Sequence, residues 1–149
     1  MDRRDVLKSA GAFTLAAMAS AAWAEEHHHE QMHEHHHSGN PNTKIIETAS
    51  ACIEKGNLCV AHCLVLLGDG NKEMAACARS VQQTLAICTA LQQLASQQST
   101  HLGEMAKLAA KACKECEDEC KKHADKHEEC KSCMDACKDC RKECERLSA

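Results

Sequence analysis

Near its C-terminus the chain reads CKSCMDACKDCRKEC, from Cys130 to Cys144, with five cysteines three and four residues apart. Most residues between them are charged. On an α-helix each residue turns by about 100°, so the five thiols fall within an arc of about 80°. The other face carries Lys131, Asp135, Lys138, Asp139, Arg141, Lys142 and Glu145. The pattern recurs upstream with Cys113, Cys116 and Cys120, with Cys52, Cys59 and Cys63, and with Cys77 and Cys88. A helix that is charged on one side turns its other side inward. The chain is therefore restricted to helices that share an interior lined with sulfur.

Composition leaves little else to fill that interior. Of 149 residues thirteen are cysteine and none is tyrosine, and the single Phe13 and Trp23 both precede residue 25. Everything after them lacks the aromatic side chains that normally dominate a core. Apolar spacing predicts four helices: Thr43 to Leu67, the residues after Asn71 to Ser96, Thr100 to His123, and Lys126 to Leu147. Gly68-Asp69-Gly70 ends the first, Asn71 is a good N-cap for the second, and Asp125 with Glu128 has the form of a capping box for the fourth. Short connections between long helices make antiparallel neighbours. The expected fold is all-α, an antiparallel up-down-up-down four-helix bundle with a cysteine-lined core over residues 43–149.

Two segments precede the bundle. In residues 1–24, Arg3 and Arg4 lead into an apolar run from Ala10 to Ala22, and Ala22-Trp23-Ala24 has the small-x-small form of a cleavage site. Asp2 to Lys8 resembles a twin-arginine export signal, with Val6 where Phe is commoner. Its removal leaves 15 basic and 20 acidic residues, a formal charge of −5. Nucleic-acid phosphates need a basic surface, so no nucleic-acid partner is expected. Residues 25–42 hold seven histidines with Met32 and no apolar periodicity, and are expected to be a disordered tail or linker. That tail could capture a metal ion or serve only as a spacer.

Three chemistries could explain the thiols. Cysteine can pack as a small hydrophobe. From Cys113 onward, however, the only larger apolar residues are Met134 and Leu147, and bare thiols would bury little area there. Export favours disulfides. Cysteines three or four apart on a helix have Cβ directions that fit the bond badly, and thirteen is an odd number. The third chemistry is metal. Zinc and iron–sulfur sites usually draw cysteines from loops rich in Gly or Pro, and after Gly103 there is neither. One helix cannot easily wrap four thiolates around an ion, but it can set two at i and i+4 on either side of one. Soft, low-coordinate Cu(I) accepts that geometry. Cys59/Cys63, Cys116/Cys120, Cys133/Cys137 and Cys140/Cys144 all have this spacing. The expected ligands are Cys52, Cys59, Cys63, Cys77, Cys88, Cys113, Cys116, Cys120, Cys130, Cys133, Cys137, Cys140 and Cys144. If each thiolate bridges two ions, they hold about one Cu(I) per cysteine.

A cysteine-lined four-helix bundle, C-x-x-x-C pairs and a twin-arginine signal together resemble the exported copper storage proteins of methane-oxidising bacteria. The resemblance covers residues 43–149 and the signal. It implies a homotetramer of bundles, each holding many Cu(I) ions. It also implies supply of copper to an enzyme such as particulate methane monooxygenase, from the periplasm or an intracytoplasmic membrane compartment.

Antiparallel topology sets His62, Met74, His123 and His127 at one end of the bundle, beside Cys63, Cys77, Cys120 and Cys130. That end is the expected mouth, where His62 and Met74 hold an incoming ion before the thiolates take it. An enzyme would need an activated nucleophile or an open coordination position in a pocket, and repeated thiol stripes look like capacity instead. The expected class is a storage protein and not an enzyme. A disulfide-bonded redox scaffold and a metal-detoxifying sponge are the alternatives.

Overall fold

The computed structural model describes residues 39–148. The segments read as an export signal and, up to residue 38, as a histidine-rich tail lie outside them. Four helices follow in order: α1 (Thr43–Gly68), α2 (Met74–Ser96), α3 (Leu102–Lys121) and α4 (Glu128–Ser148). Each packs against its neighbours in sequence, and α4 closes the ring against α1. This is the up-down-up-down bundle that the short connections predict.

The turns have identifiable chemistry. After α1 the Asn71 amide bonds the Leu66 carbonyl (2.9 Å) and the Gly70 amide bonds that of Leu67 (3.0 Å). Gly70 has φ of 90°, the left-handed conformation that completes this Schellman ending. The same pair of bonds ends α2, from Ser99 to Leu94 (2.9 Å) and from Gln98 to Ala95 (3.1 Å). Here the left-handed residue is Gln98, at φ 51°.

The predicted caps form differently. Asn71 lies two residues ahead of the N-cap Glu73, and its Oδ1 accepts the Glu73 amide at 3.2 Å. The connection after α3 is a run of backbone turns, with the Lys126 and His127 amides both on the His123 carbonyl at 3.0 Å. Those turns delay α4 to Glu128, whose carboxylate accepts the Ser132 hydroxyl (3.4 Å) instead of closing a capping box.

The interior is built in two parts. At the end holding the α1 N-terminus and the α2–α3 turn, Ile45, Ala49, Leu91, Ala95, Leu102, Ala106 and Ala109 form an apolar plug. Outside it, Asn40 and Asn42 donate their side-chain amides to the Ala95 carbonyl (3.2 Å each), and Asn40 also reaches Ser96 (3.1 Å). The rest of the core, toward the α1–α2 and α3–α4 turns, is lined with sulfur. The buried residues of α4 are Cys130, Cys133, Cys137, Cys140 and Cys144 and no others. Met134 and Leu147 only flank them, partly buried.

Candidate metal centre

All thirteen cysteines are buried free thiols, from 0 to 2% exposed. Helical spacing sets every one on an inward face, and the bundle joins the four stripes into one column. The short contacts run mainly across helices. Cys52 Sγ is 3.5 Å from Cys137 and 3.7 Å from Cys88. Cys77 is 3.7 Å from Cys120, Cys59 is 3.8 Å from Cys130, Cys116 is 3.8 Å from Cys133, and Cys88 is 3.9 Å from Cys113. Of the predicted i, i+4 seats, Cys116 and Cys120 approach to 4.0 Å. Cross-helix seats thus outnumber the single close pair along a helix. Spacing within one segment could not reveal them, because they depend on the register of neighbouring helices.

Eleven of the thirteen thiols fall into four compact groups whose sulfurs lie within 4.8 Å of one another, and Cys140 and Cys144 belong to none of them. Cys59, Cys63, Cys77 and Cys130 make one. Cys52, Cys88 and Cys113, then Cys59, Cys120 and Cys133, then Cys116, Cys133 and Cys137, make the others. Cys59 and Cys133 each belong to two, so adjoining groups share sulfurs, as bridging thiolates would.

Hydrogen bonding polarises this column. Cys113 and Cys137 hold the Cys52 thiol down to about 5 by donating to its charged form. Cys130, Cys59 and Cys77 likewise lower Cys63, helped by the nearby His62. The reverse holds for Cys88, Cys120 and Cys137, whose bonds to neighbouring thiols and whose burial push them up. The sulfurs of the column therefore differ in how tightly they hold a proton. Metal ligation requires thiolate, so loading must expel the protons they hold.

At the turn end, Met74 is fully buried one helical turn before Cys77. His62 lies off the column, toward α4. Its Nε2 is 3.0 Å from His127 Nδ1, and its Nδ1 is 3.7 Å from a Glu129 carboxylate oxygen. Glu129 did not stand out in the sequence, where it reads as one more acidic residue at a helix start. It meets His62 only because α4 packs against α1.

Residues 38–149 match the family model described as copper storage protein. The chain belongs to the copper storage protein family. Solved structures agree. The apo copper storage protein Csp3 of Bacillus subtilis is 27% identical, with 72% of this chain and 99% of that one covered and a TM-score of 0.64. Its Cu(I)-bound form, BsCsp3, is 26% identical over 72% of this chain and 98% of that one, again at 0.64. A copper storage protein of Streptomyces lividans, described as cytosolic and holding five coppers, is 26% identical over 72% and 91%, at 0.65. No curated protein sequence matches the chain.

Proposed function

We propose that this protein stores Cu(I) on its thirteen cysteines, about one ion per cysteine, for later supply to a copper enzyme. The observation that carries this reading is the continuous column of buried free thiols with cross-helix sulfur contacts of 3.5–3.9 Å. Thiolate is the ligand Cu(I) prefers, and two or three sulfurs satisfy it. The family membership and the Cu(I)-bound relative support the same metal.

His62 and Met74 are transient ligands at the mouth in this reading, and residues 43–149 are the storage bundle. Arg3, Arg4 and the apolar run to Ala22 support export of the folded protein, although the Streptomyces relative is described as cytosolic. Leu58, Leu64 and Val65 lie more than half exposed on α1, which supports a homo-oligomer, a tetramer by the family resemblance.

The decisive experiment is an anaerobic titration of the reduced protein with Cu(I) against a competing chelator. Saturation near one copper per cysteine at constant helix content is expected. Saturation at one or two ions would replace storage by a discrete site. No uptake, with thiols found oxidised in isolated protein, would favour the disulfide scaffold. The mouth has its own test. His62→Ala with Met74→Leu should slow loading several-fold and leave capacity nearly unchanged, and unaltered kinetics would remove both residues from the site.

A further inference from the structure

The four-membered thiol group differs from the three others in a way that matters for metal choice. Cys59 and Cys63 come from α1, Cys77 from α2 and Cys130 from α4, and all four sulfurs lie within 4.8 Å of one another. A tetrahedral tetrathiolate with metal–sulfur bonds of about 2.3 Å has edges of about 3.8 Å. Cys59 and Cys130 already stand at 3.8 Å. The remaining pairs need at most about 1 Å of closure, within reach of small side-chain torsions. A single helix cannot supply this arrangement, but three converging helices do.

We propose that Cys59, Cys63, Cys77 and Cys130 form a closed site for one four-coordinate divalent ion of the zinc class. The three other groups offer three sulfurs each. That number suits Cu(I), but leaves a zinc ion one ligand short of the closed tetrahedral set of structural sites. Binding one M²⁺ displaces the protons that these sulfurs still carry and leaves a complex of charge −2. His62 directly precedes Cys63 in α1, and its Nε2 lies 3.0 Å from His127 Nδ1 at this end of the bundle. Cys120, 3.7 Å from Cys77, remains as a thiol that can donate to the bound sulfur. The divalent ion pins α1, α2 and α4 together at the turn end while the column beyond stays empty. Cu(I) prefers thiolate more strongly and displaces it on loading, and the Cys59 it returns completes the group with Cys120 and Cys133.

Co(II) is the probe. The reduced full-length protein is titrated anaerobically, and the intense visible bands of tetrahedral tetrathiolate cobalt are recorded. Histidine-bound cobalt in the N-terminal segment gives only weak absorption, so it does not obscure the readout. One equivalent of tetrathiolate cobalt is expected, lost on adding Zn(II) and released on adding Cu(I). Cys77→Ser and Cys130→Ser should each shift the bands to a three-sulfur spectrum, whereas Cys144→Ser should leave them unchanged. The stoichiometry of the unaltered protein stands even if a variant folds poorly. Bands that saturate at several ions, that survive both Ser variants, or that never appear would overturn the site. Copper capacity is measured on the same sample. A bundle that takes up thirteen Cu(I) but no tetrathiolate cobalt would retain storage and lose this site.

Discussion

At the scale of single residues, two backbone positions make firm predictions. Gly56 is buried in the middle of α1. A Cβ there would come within 2.8 Å of Leu85 Cδ2 and 3.5 Å of Val81 Cγ1 on α2. The glycine is thus a spacer that brings the two helices together. Gly56→Ala asks the Leu85 side chain to shift, its Cγ as well as its tip, with Cγ at 3.3 Å, and gains helix propensity, so the two effects oppose each other. Gly56→Val cannot be absorbed in this way, and overpacking should destabilise the bundle by about 1–3 kcal/mol, measured by chemical denaturation. Gln98 is the converse case. It holds a left-handed φ of 51° in a Schellman ending that favours glycine. Gln98→Gly should raise stability by about 1 kcal/mol, since it relieves a conformation costing L-residues about that much. No gain in the denaturation midpoint would mean that the Gln98 side chain compensates. Neither position was legible in the sequence. The close approach at Gly56 depends on how α1 packs against α2, and the left-handed turn at Gln98 falls on a residue type that does not favour it. The thiol positions, in contrast, were fully legible, because a three-and-four spacing fixes direction on a helix whatever surrounds it.

At the scale of elements, α4 is the informative helix. Its buried face is entirely thiol, whereas α1 and α2 bring Ile45, Val81 and Leu91 to the core. A cysteine buries less apolar area than a leucine or isoleucine, so α4 gains least from packing without metal. Surface pairs add little. Arg141 bridges Glu117 of α3 (3.1 Å) and Glu145 (2.8 Å), and pairs such as Lys142–Asp139 are exposed contacts of small value. Hydrogen exchange of the reduced apo-protein should therefore show α4 as the least protected helix. Cu(I) loading should raise its protection above that of the apo form by at least tenfold, because metal ligation adds to folding free energy. Equal protection of all four helices without copper would show that thiol packing suffices. The four helices and their order were legible through periodicity and short loops, but the start of α4 was not. The capping-box pattern of Asp125 and Glu128 places it two residues early, because backbone turns actually make the connection.

Across the whole molecule, the shared protons of the thiol column link stability to pH. Cys88, Cys120 and Cys137 are raised well above the ordinary value of 9.0 by their thiol neighbours and by burial. In the unfolded chain those thiols ionise near 9. Above that pH the unfolded state holds fewer protons than the folded one, and the stability of the apo bundle must fall as pH rises. Cys52 acts with the opposite sign. Lowered to about 5, it contributes stability that is present above 9 and is lost as pH falls from 9 through 5. Cys63, Cys133 and Cys140 are also lowered and act in the same direction. The reduced apo-protein should thus be most stable near the ordinary thiol value, with losses on both sides. Bound metal takes the place of the protons that the raised sulfurs hold, so a loaded bundle has no raised thiols left to ionise. Thermal unfolding across about pH 6 to about pH 11 tests the argument, with apo and copper-loaded samples kept reduced. A Tm that peaks near 9 for apo-protein, and loses its alkaline decline when copper is bound, is the expected outcome. An apo Tm that stays level above pH 9 would mean that the buried thiols ionise as freely in the bundle as in the unfolded chain. The column would then store no protons for metal to displace.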